Sequence, residues 1–447
     1  MNKTLSIFGL GKLGSSMLAC FASKGWKVIG VDPNKNFVEK VSRGVSPIEE
    51  PQVAELMSEY KNQITATTDP SIAIERSSAT FIVVPTPSME SGKFSTQYVQ
   101  NALESIAKCL RGKESYHLIV ITSTVLPGDT ARLVGVVEKI SGKKLNEDFG
   151  LCYNPDFIAL GKVVWDFLNP DMILIGQSDD RAGEAVEAIH KALVENKPDI
   201  YRMNWWNAEL AKISLNSYCT MKITFANVIG EICENMPGGD ACKVLRAIGS
   251  DSRVGHKYLR PGLAFSGPCF PRDCRAFCQS ARDYGVHHCL GEKVDSINDY
   301  HKTDRICNLL MQYLDERDSR QLAILGLSYK ENTPVIEESV SISSIRALTD
   351  LGVIITVYDP SAMDNAKEAL KGIKGVSFAD TLYSCLNEKS VCFIATPWPM
   401  FKMLTAEQIK AHMTKDPIIL DAWGVLSLPA DCGITVRKIG KNLNVVD

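Results

Sequence analysis

One pattern of strands and turns occurs twice in this chain, in the same order, and it restricts the fold more than any other feature. Residues 4–8 (TLSIF) form an apolar run that stops at Gly9. A helical pattern follows, with Leu13, Met17, Leu18 and Phe21 on one face, and Gly25 ends it. A second run from Val28 to Val31 stops at Asp32, and further runs cover Phe81 to Val84 and His117 to Thr122. The last third repeats this: Leu322-Ala-Ile-Leu-Gly-Leu parallels Leu5-Ser-Ile-Phe-Gly-Leu, and Val353 to Pro360 parallels Lys27 to Pro33. Cys392-Phe-Ile-Ala-Thr-Pro397 parallels the segment Phe81 to Pro87. Strands alternating with helices predict a parallel, doubly wound sheet. Between the repeats, Trp205 to Ile229 contains no Gly or Pro, and Leu210, Ile213, Met221, Phe225, Val228 and Ile232 recur at helical spacing. One helix about 40 Å long is predicted. Such a helix can link two lobes, form a dimer interface or lie in a core. The expected class is α/β: two Rossmann-like doubly wound lobes joined by a helical middle domain containing a long central helix. The expected boundaries are 1–200, 201–300 and 301–447.

Composition narrows the classes further. A chain of 447 residues suggests about three domains. Its net charge of −3 argues against a broad nucleic-acid surface. No run approaches the roughly 18 consecutive apolar residues of a membrane span, and the opening MNKTLSIFGLG leaves no room for a signal peptide. A cytoplasmic protein is therefore expected, with no membrane or nucleic-acid partner. The 14 cysteines are scattered, with no CxxC and no Cys/His cluster at zinc spacing, so reduced thiols and no metal are expected.

Two segments carry chemistry. Gly9-Leu10-Gly11-Lys12-Leu13-Gly14 is a GxGxxG that follows a strand, opens a helix and has Asp32 at the end of the next strand, the dinucleotide fingerprint. The first glycine permits the turn, the second lets the backbone approach a pyrophosphate, and the third allows close helix–strand packing. Asp32 would accept from a ribose 2′-OH and repel a 2′-phosphate, which favours NAD over NADP. The second segment is Phe265-Ser-Gly-Pro-Cys269-Phe-Pro-Arg272-Asp273. Arg253, His256, Lys257, Arg260, Arg272 and Arg275 surround it, against Asp251 and Asp273. Cations favour thiolate and can bind a pyrophosphate. Cys269 is thus the best nucleophile candidate, the alternative being a small core filler.

These residues resemble the UDP-glucose/GDP-mannose dehydrogenase family, the NAD-dependent enzymes that oxidise a nucleotide sugar at C6 to the uronic acid. The resemblance runs in order through Gly9 to Gly14 with Asp32, Pro85-Thr-Pro87, Ser123 to Gly128, Asn154 to Phe157 and Glu209-x-x-Lys212-x-x-x-Asn216. It continues through Asp251 to Gly255, the Cys269 segment, Gly326 to Lys330 and Tyr358-Asp-Pro360. It implies thiohemiacetal and thioester intermediates on Cys269, with two NAD consumed in turn. Lys212 and Asn216, four apart on one helix face, would stabilise the oxyanion on C6. Asp273 would help activate that oxygen or a water. Asp156, where most members carry Glu, would act as general base for thioester hydrolysis, and Thr124 would position the water or the nicotinamide. Besides the glycine turn and Asp32, Lys35, Pro85, Thr86 and Ser123 are expected at the cofactor. Arg260, Lys330 and Arg253 would meet the substrate phosphates, Arg253 by reaching the neighbouring subunit's site in a homodimer. Tyr258 and Tyr329 would flank the base or sugar, the alternative being ordinary core aromatics; Phe265 is also expected at the substrate, and Phe157, Ile158 and Ala159 would offer backbone groups to the sugar.

Three positions depart from the family. Leu160 replaces a Glu, and Val335 and Glu337 replace an Asp and an Arg that lies near the cofactor phosphates. Trp423 replaces an Arg that helps bind the sugar nucleotide. UDP-glucose is the leading substrate, with GDP-mannose and UDP-N-acetylhexosamines open. A two-electron dehydrogenase and a non-catalytic nucleotide-sugar-binding protein remain alternatives.

Overall fold

A computed structural model describes residues 3–429 and 431–442. The chain folds as two compact units, Met1–Ser214 and Leu215–Asp447. The first unit is built on β1 (Thr4–Phe8), β2 (Lys27–Val31), β3 (Ile64–Thr67), β4 (Ala79–Ile82), β5 (His117–Ile121), β6 (Phe149–Tyr153), β7 (Met172–Gln177) and β8 (Asp199–Met203). Their order in the sheet is β3-β2-β1-β4-β5-β6-β7-β8. The winding therefore reverses between β1 and β4, where doubly wound sheets open a ligand crevice. Side chains alternate between two cores: Leu5, Ile7 and Val120 pack on one face, and Phe8, Ile119 and Ile121 on the other. Burial on both faces explains why these strands read as near-continuous apolar runs.

The first sheet is not wholly parallel, in contrast to the expectation. β7 runs antiparallel to β6. The connection between them holds the Asn154–Ala159 loop and a helix of only 6 residues, Val163–Leu168. It stays at one end of the sheet, so the chain re-enters from the end at which β6 leaves.

The second unit carries β9 (Gln321–Leu325), β10 (Ile354–Tyr358), β11 (Val376–Phe378), β12 (Val391–Ile394), β13 (Ile418–Asp421) and β14 (Thr435–Lys438). The order is β11-β10-β9-β12-β13-β14, parallel throughout. The internal repeat extends to single atoms. Gly9 (φ +102°) donates its N–H to Val31 O at 2.8 Å, and Gly326 (φ +100°) donates to Tyr358 O at 2.8 Å. A Cβ at Gly9 would lie 2.2 Å from Val83 O, and one at Gly326 2.5 Å from Thr396 Cβ. Each glycine is thus required by both its dihedral and its closeness to the strand across the switch.

The long helix spans Trp205–Asn235, 31 residues. Its predicted stripe does not form one buried face: Ile213 is buried, whereas Leu210, Phe225 and Ile232 are exposed. Apolar residues occupy more than one side of this helix, so the spacing detected the helix without identifying which side is covered. Among the described residues, no helix is long and apolar enough to cross a membrane.

Candidate active site

In the first unit, the turn after β1 leads into the helix Lys12–Ser23, whose N-cap is Gly11. A Cβ on Gly14 would sit 1.9 Å from Gly9 O, while one on Gly11 would meet nothing within 4 Å. Gly14 is therefore a packing requirement, and Gly11 leaves open space before the helix N-terminus, where backbone N–H groups and the helix dipole favour phosphate. Asp32 is held in place, its Oδ2 accepting from Leu10 N at 2.7 Å and its Oδ1 from Asn34 N at 2.8 Å. A carboxylate at the end of β2 and an open phosphate turn fit a dinucleotide. Lys12 and Leu13 form the helix's first turn, half-buried, and Lys35 is exposed at the start of the next helix, Lys35–Ser42. Pro85 is exposed and Thr86 buried in the loop after β4. The Ser123 hydroxyl has a structural partner: it accepts from Val84 N at 2.8 Å and donates to Val84 O at 2.7 Å. Thr124 follows it, half-buried.

The loop after β6 gathers a second group in the same unit. The Lys212 ammonium donates to the Asp156 carbonyl oxygen and lies 4.5 Å from the centre of the Phe157 ring. Burial pushes the Asp156 carboxyl up to about 7, against a smaller opposing pull from Lys212, and its Oδ2 is sealed from solvent without a hydrogen-bond partner. A carboxyl group near 7 beside an ammonium can exchange a proton at neutral pH. Phe157, Ile158 and Leu160 are half-buried. Ala159 is less available than expected, because its N–H donates to Asp166 Oδ2 at 3.0 Å. Glu209 serves the fold instead of a ligand. Fully buried, it accepts from Gly128 N at 2.7 Å and Thr130 N at 2.8 Å, capping the helix Asp129–Ser141.

In the second unit, Cys269 is the exposed N-cap of the helix Phe270–Asp283. That position places the residue at the positive end of a helix dipole, where negative charge is favoured. Asp273, 1% exposed, donates its N–H to Cys269 O at 2.8 Å. Its carboxylate accepts from Asn216 Nδ2 at 2.6 Å and from Arg272 Nε at 3.1 Å. Carboxylate and amide are thereby paired, and a backbone bond ties Asp273 to the start of the helix at Cys269. The surrounding basic cluster is largely paired: Arg253 with Asp251 at 2.7 Å, and Arg275 with Asp295 at 3.0 Å and Glu338 at 2.8 Å.

A cavity of about 280 Å³ opens at the carboxyl ends of β9, β12 and β13. Tyr258, Arg260, Phe265, Tyr329, Lys330 and Trp423 line it, as does Phe270, the residue after Cys269. Five of the expected substrate residues of this unit thus converge, while Arg253 stands exposed outside the lining. Two cations among aromatic rings suit a phosphorylated ligand with a flat ring. Trp423, read from the motif only as the loss of an arginine, forms part of the wall. Its indole donates to Ala395 O at 2.8 Å, its carbonyl accepts from the Arg260 guanidinium, and a Cβ on Gly262 would meet its ring at 2.8 Å. Its position just after β13 is the signal that places it here. Of the other departures, Val335 is buried and Glu337 exposed, the Glu337 carbonyl accepting from Gly267 N at 2.9 Å.

Residues 3–194 match the NAD binding domain of the UDP-glucose/GDP-mannose dehydrogenase family, residues 206–300 its central domain, and residues 323–428 its UDP binding domain. The chain is 35% identical over 407 residues to a UDP-glucose 6-dehydrogenase of Haloferax volcanii, covering 90% of this chain and 93% of that one. It is 32% identical over 360 residues to a GDP-mannose 6-dehydrogenase of Pseudomonas putida, covering 79% and 80%. Among solved structures it resembles a UDP-glucose dehydrogenase of the hyperthermophilic archaeon Pyrobaculum islandicum, with TM-score 0.83, 30% identity and 94% of each chain covered.

Proposed function

The chain belongs to the UDP-glucose/GDP-mannose dehydrogenase family of NAD-dependent oxidoreductases, and on that premise we propose that it carries out the four-electron oxidation of UDP-glucose at C6 to the uronic acid. The observation that carries this reading is the second unit's cavity, where Arg260 and Lys330 stand among aromatic rings beside the helix that begins at Cys269. UDP-glucose is favoured over GDP-mannose by the longer match to the Haloferax enzyme.

NAD, when bound, accepts the hydride in each oxidation. The chain's own residues handle the carbon and the protons. In the proposed sequence, loss of hydride and a proton from the C6 alcohol gives the aldehyde. The Cys269 thiolate adds to it, and the carbonyl pair moves to oxygen, which takes up the proton released in the first step, giving a thiohemiacetal. Losing a second hydride and a proton converts this adduct to a thioester. Water then attacks, Asp156 takes one of its protons, and the C–S bond breaks to release thiolate and the carboxylic acid, which gives its proton to solvent. Lys212 and Asn216 donate to the oxyanion, Asp273 orients Asn216, and Thr124 positions the water. The chain acts as a homodimer through the exposed apolar side of the long helix, with Arg253 serving the neighbouring subunit's site. We assign it to the cytoplasm.

A panel of UDP- and GDP-sugars with NAD, read by NADH yield and product mass, tests the reading. Two NADH per UDP-glucose is the expected result. One NADH would mean a two-electron enzyme, turnover only with another sugar would replace the substrate, and binding without turnover would make the chain a carrier. Cys269→Ser should abolish uronic acid formation; an unchanged rate would overturn the covalent route.

A further inference from the structure

Three other thiols of the second unit meet at one point. Cys274 and Cys278 lie one turn apart on the helix Phe270–Asp283, and Cys289 is the N-cap of the helix Leu290–Lys302, which packs against it. The Cys278 and Cys289 sulfurs are 3.1 Å apart. A Cβ on Gly291 would lie 2.6 Å from Cys278 Sγ, 3.4 Å from Cys274 Sγ and 3.6 Å from Cys289 Sγ. Only a residue without a side chain leaves room for that grouping. Cys274 and Cys278 are buried, whereas Cys289 is half-buried, so small molecules reach the group from the Cys289 side. Two sulfurs this close, one of them reachable from solvent, are placed for thiol–disulfide chemistry.

We propose that Cys278 and Cys289 form a reversible dithiol–disulfide site, oxidised by hydrogen peroxide. The Cys289 thiolate attacks one peroxide oxygen, and the O–O bond breaks to leave a sulfenic acid and hydroxide, which takes up the thiol's proton as water. Cys278 then attacks the sulfenic sulfur. The S–S bond forms, the S–O bond breaks, and a second water leaves with the Cys278 proton. Two electrons pass from the sulfur pair to the peroxide. Hydrogen bonding to Cys274 and burial push the Cys278 thiol up, consistent with Cys278 acting second. The bond would tie the far end of the helix that starts at Cys269 to the next helix. The site stands on its own geometry, whatever the role of Cys269.

The test uses the full chain with Cys269→Ser, so that the exposed thiol does not react. After peroxide treatment, denaturing alkylation and digestion should yield a Cys278–Cys289 crosslinked peptide, two fewer alkylated thiols than the reduced control, and full reversal by dithiothreitol. The oxidised protein should melt higher by about 2–5 °C. Adding Cys278→Ser should abolish the crosslink and leave a dimedone-reactive Cys289. Should that variant not fold, Cys289→Ser at the half-buried position must equally protect Cys278 from oxidation. Retention of both thiols, or a crosslink to any other cysteine, would overturn the proposal.

Discussion

Asp156 and Asp359 are both carboxylates shielded from water, and their neighbours make them opposites. Asp359 closes the Gly326 turn: Oδ2 accepts from Leu327 N at 2.7 Å, Ser328 N at 3.1 Å and Trp398 Nε1 at 3.1 Å, and Oδ1 from Ser361 N and Ala362 N at 2.8 Å each. Asp359→Ala would leave these buried donors unpaired, so chemical denaturation should show a loss of about 3–5 kcal/mol. Asp156 has no such donors on Oδ2, and burial lifts it to about 7. As a base it works only when ionised, so kcat should fall as pH drops through about 7, and Asp156→Asn should remove that limb along with most thioester hydrolysis. The stability effect has the other sign. A carboxyl raised in the folded state favours folding when protonated, so this contribution is present at acid pH and is lost as pH rises from the usual carboxylate range towards about 7. Melting of the parent and Asp156→Asn at pH 5 and pH 8 should therefore diverge at the higher pH, with the variant the more stable.

At the scale of elements, strand, turn and helix are coupled through the glycines, and two of them separate packing from binding. A methyl at Gly14 would lie 1.9 Å from Gly9 O, so Gly14→Ala must push the helix Lys12–Ser23 off β1 and lower both Tm and NAD affinity. A methyl at Gly11 meets nothing within 4 Å. Gly11→Ala should leave Tm within about 1 °C while raising the NAD Kd roughly tenfold or more, because the methyl occupies the phosphate's approach. Equal losses of Tm in both variants, measured by calorimetry alongside NAD titration, would count against the turn as a phosphate site. The long helix shows where elements outrun local pattern. Its 31 residues exceed the stretch free of Gly and Pro, since Gly230 lies inside it.

For the whole molecule, the residues that the proposed chemistry does not use bear on assembly. Tyr218, Phe225 and Ile232 recur every seven residues on the long helix and are 55%, 49% and 53% exposed. The seven-residue spacing puts them on one side of the helix, where they are available to the proposed homodimer contact. If the proposed homodimer forms through these residues, sedimentation of the parent should show a dimer and that of Phe225→Glu a monomer. If Arg253 serves a neighbouring site, the monomer should lose activity while retaining NAD binding; a fully active monomer would separate the stripe from catalysis.

Much of this was legible without coordinates. The strands at 4–8 and 28–31, the glycine turn with Asp32, and the twofold pattern are local, because strand period and turn chemistry act over a few neighbours. Cys269 could be singled out only by its motif, since its position as an exposed helix N-cap depends on where a helix begins. Other features are tertiary in origin. The antiparallel β7 depends on where a connection re-enters the sheet, and the Ser123 hydroxyl is taken by Val84 on a neighbouring strand's loop. Trp423 became a cavity wall, and Cys278 and Cys289 became neighbours, through packing of separate elements. The sequence by itself determined the repeated α/β plan and its dinucleotide turn, because those follow from residue type and spacing. Only the tertiary structure decided which side chains stay open to a ligand and which are committed to partners, because hydrogen bonds and burial between distant segments are set by the fold and leave no local signature.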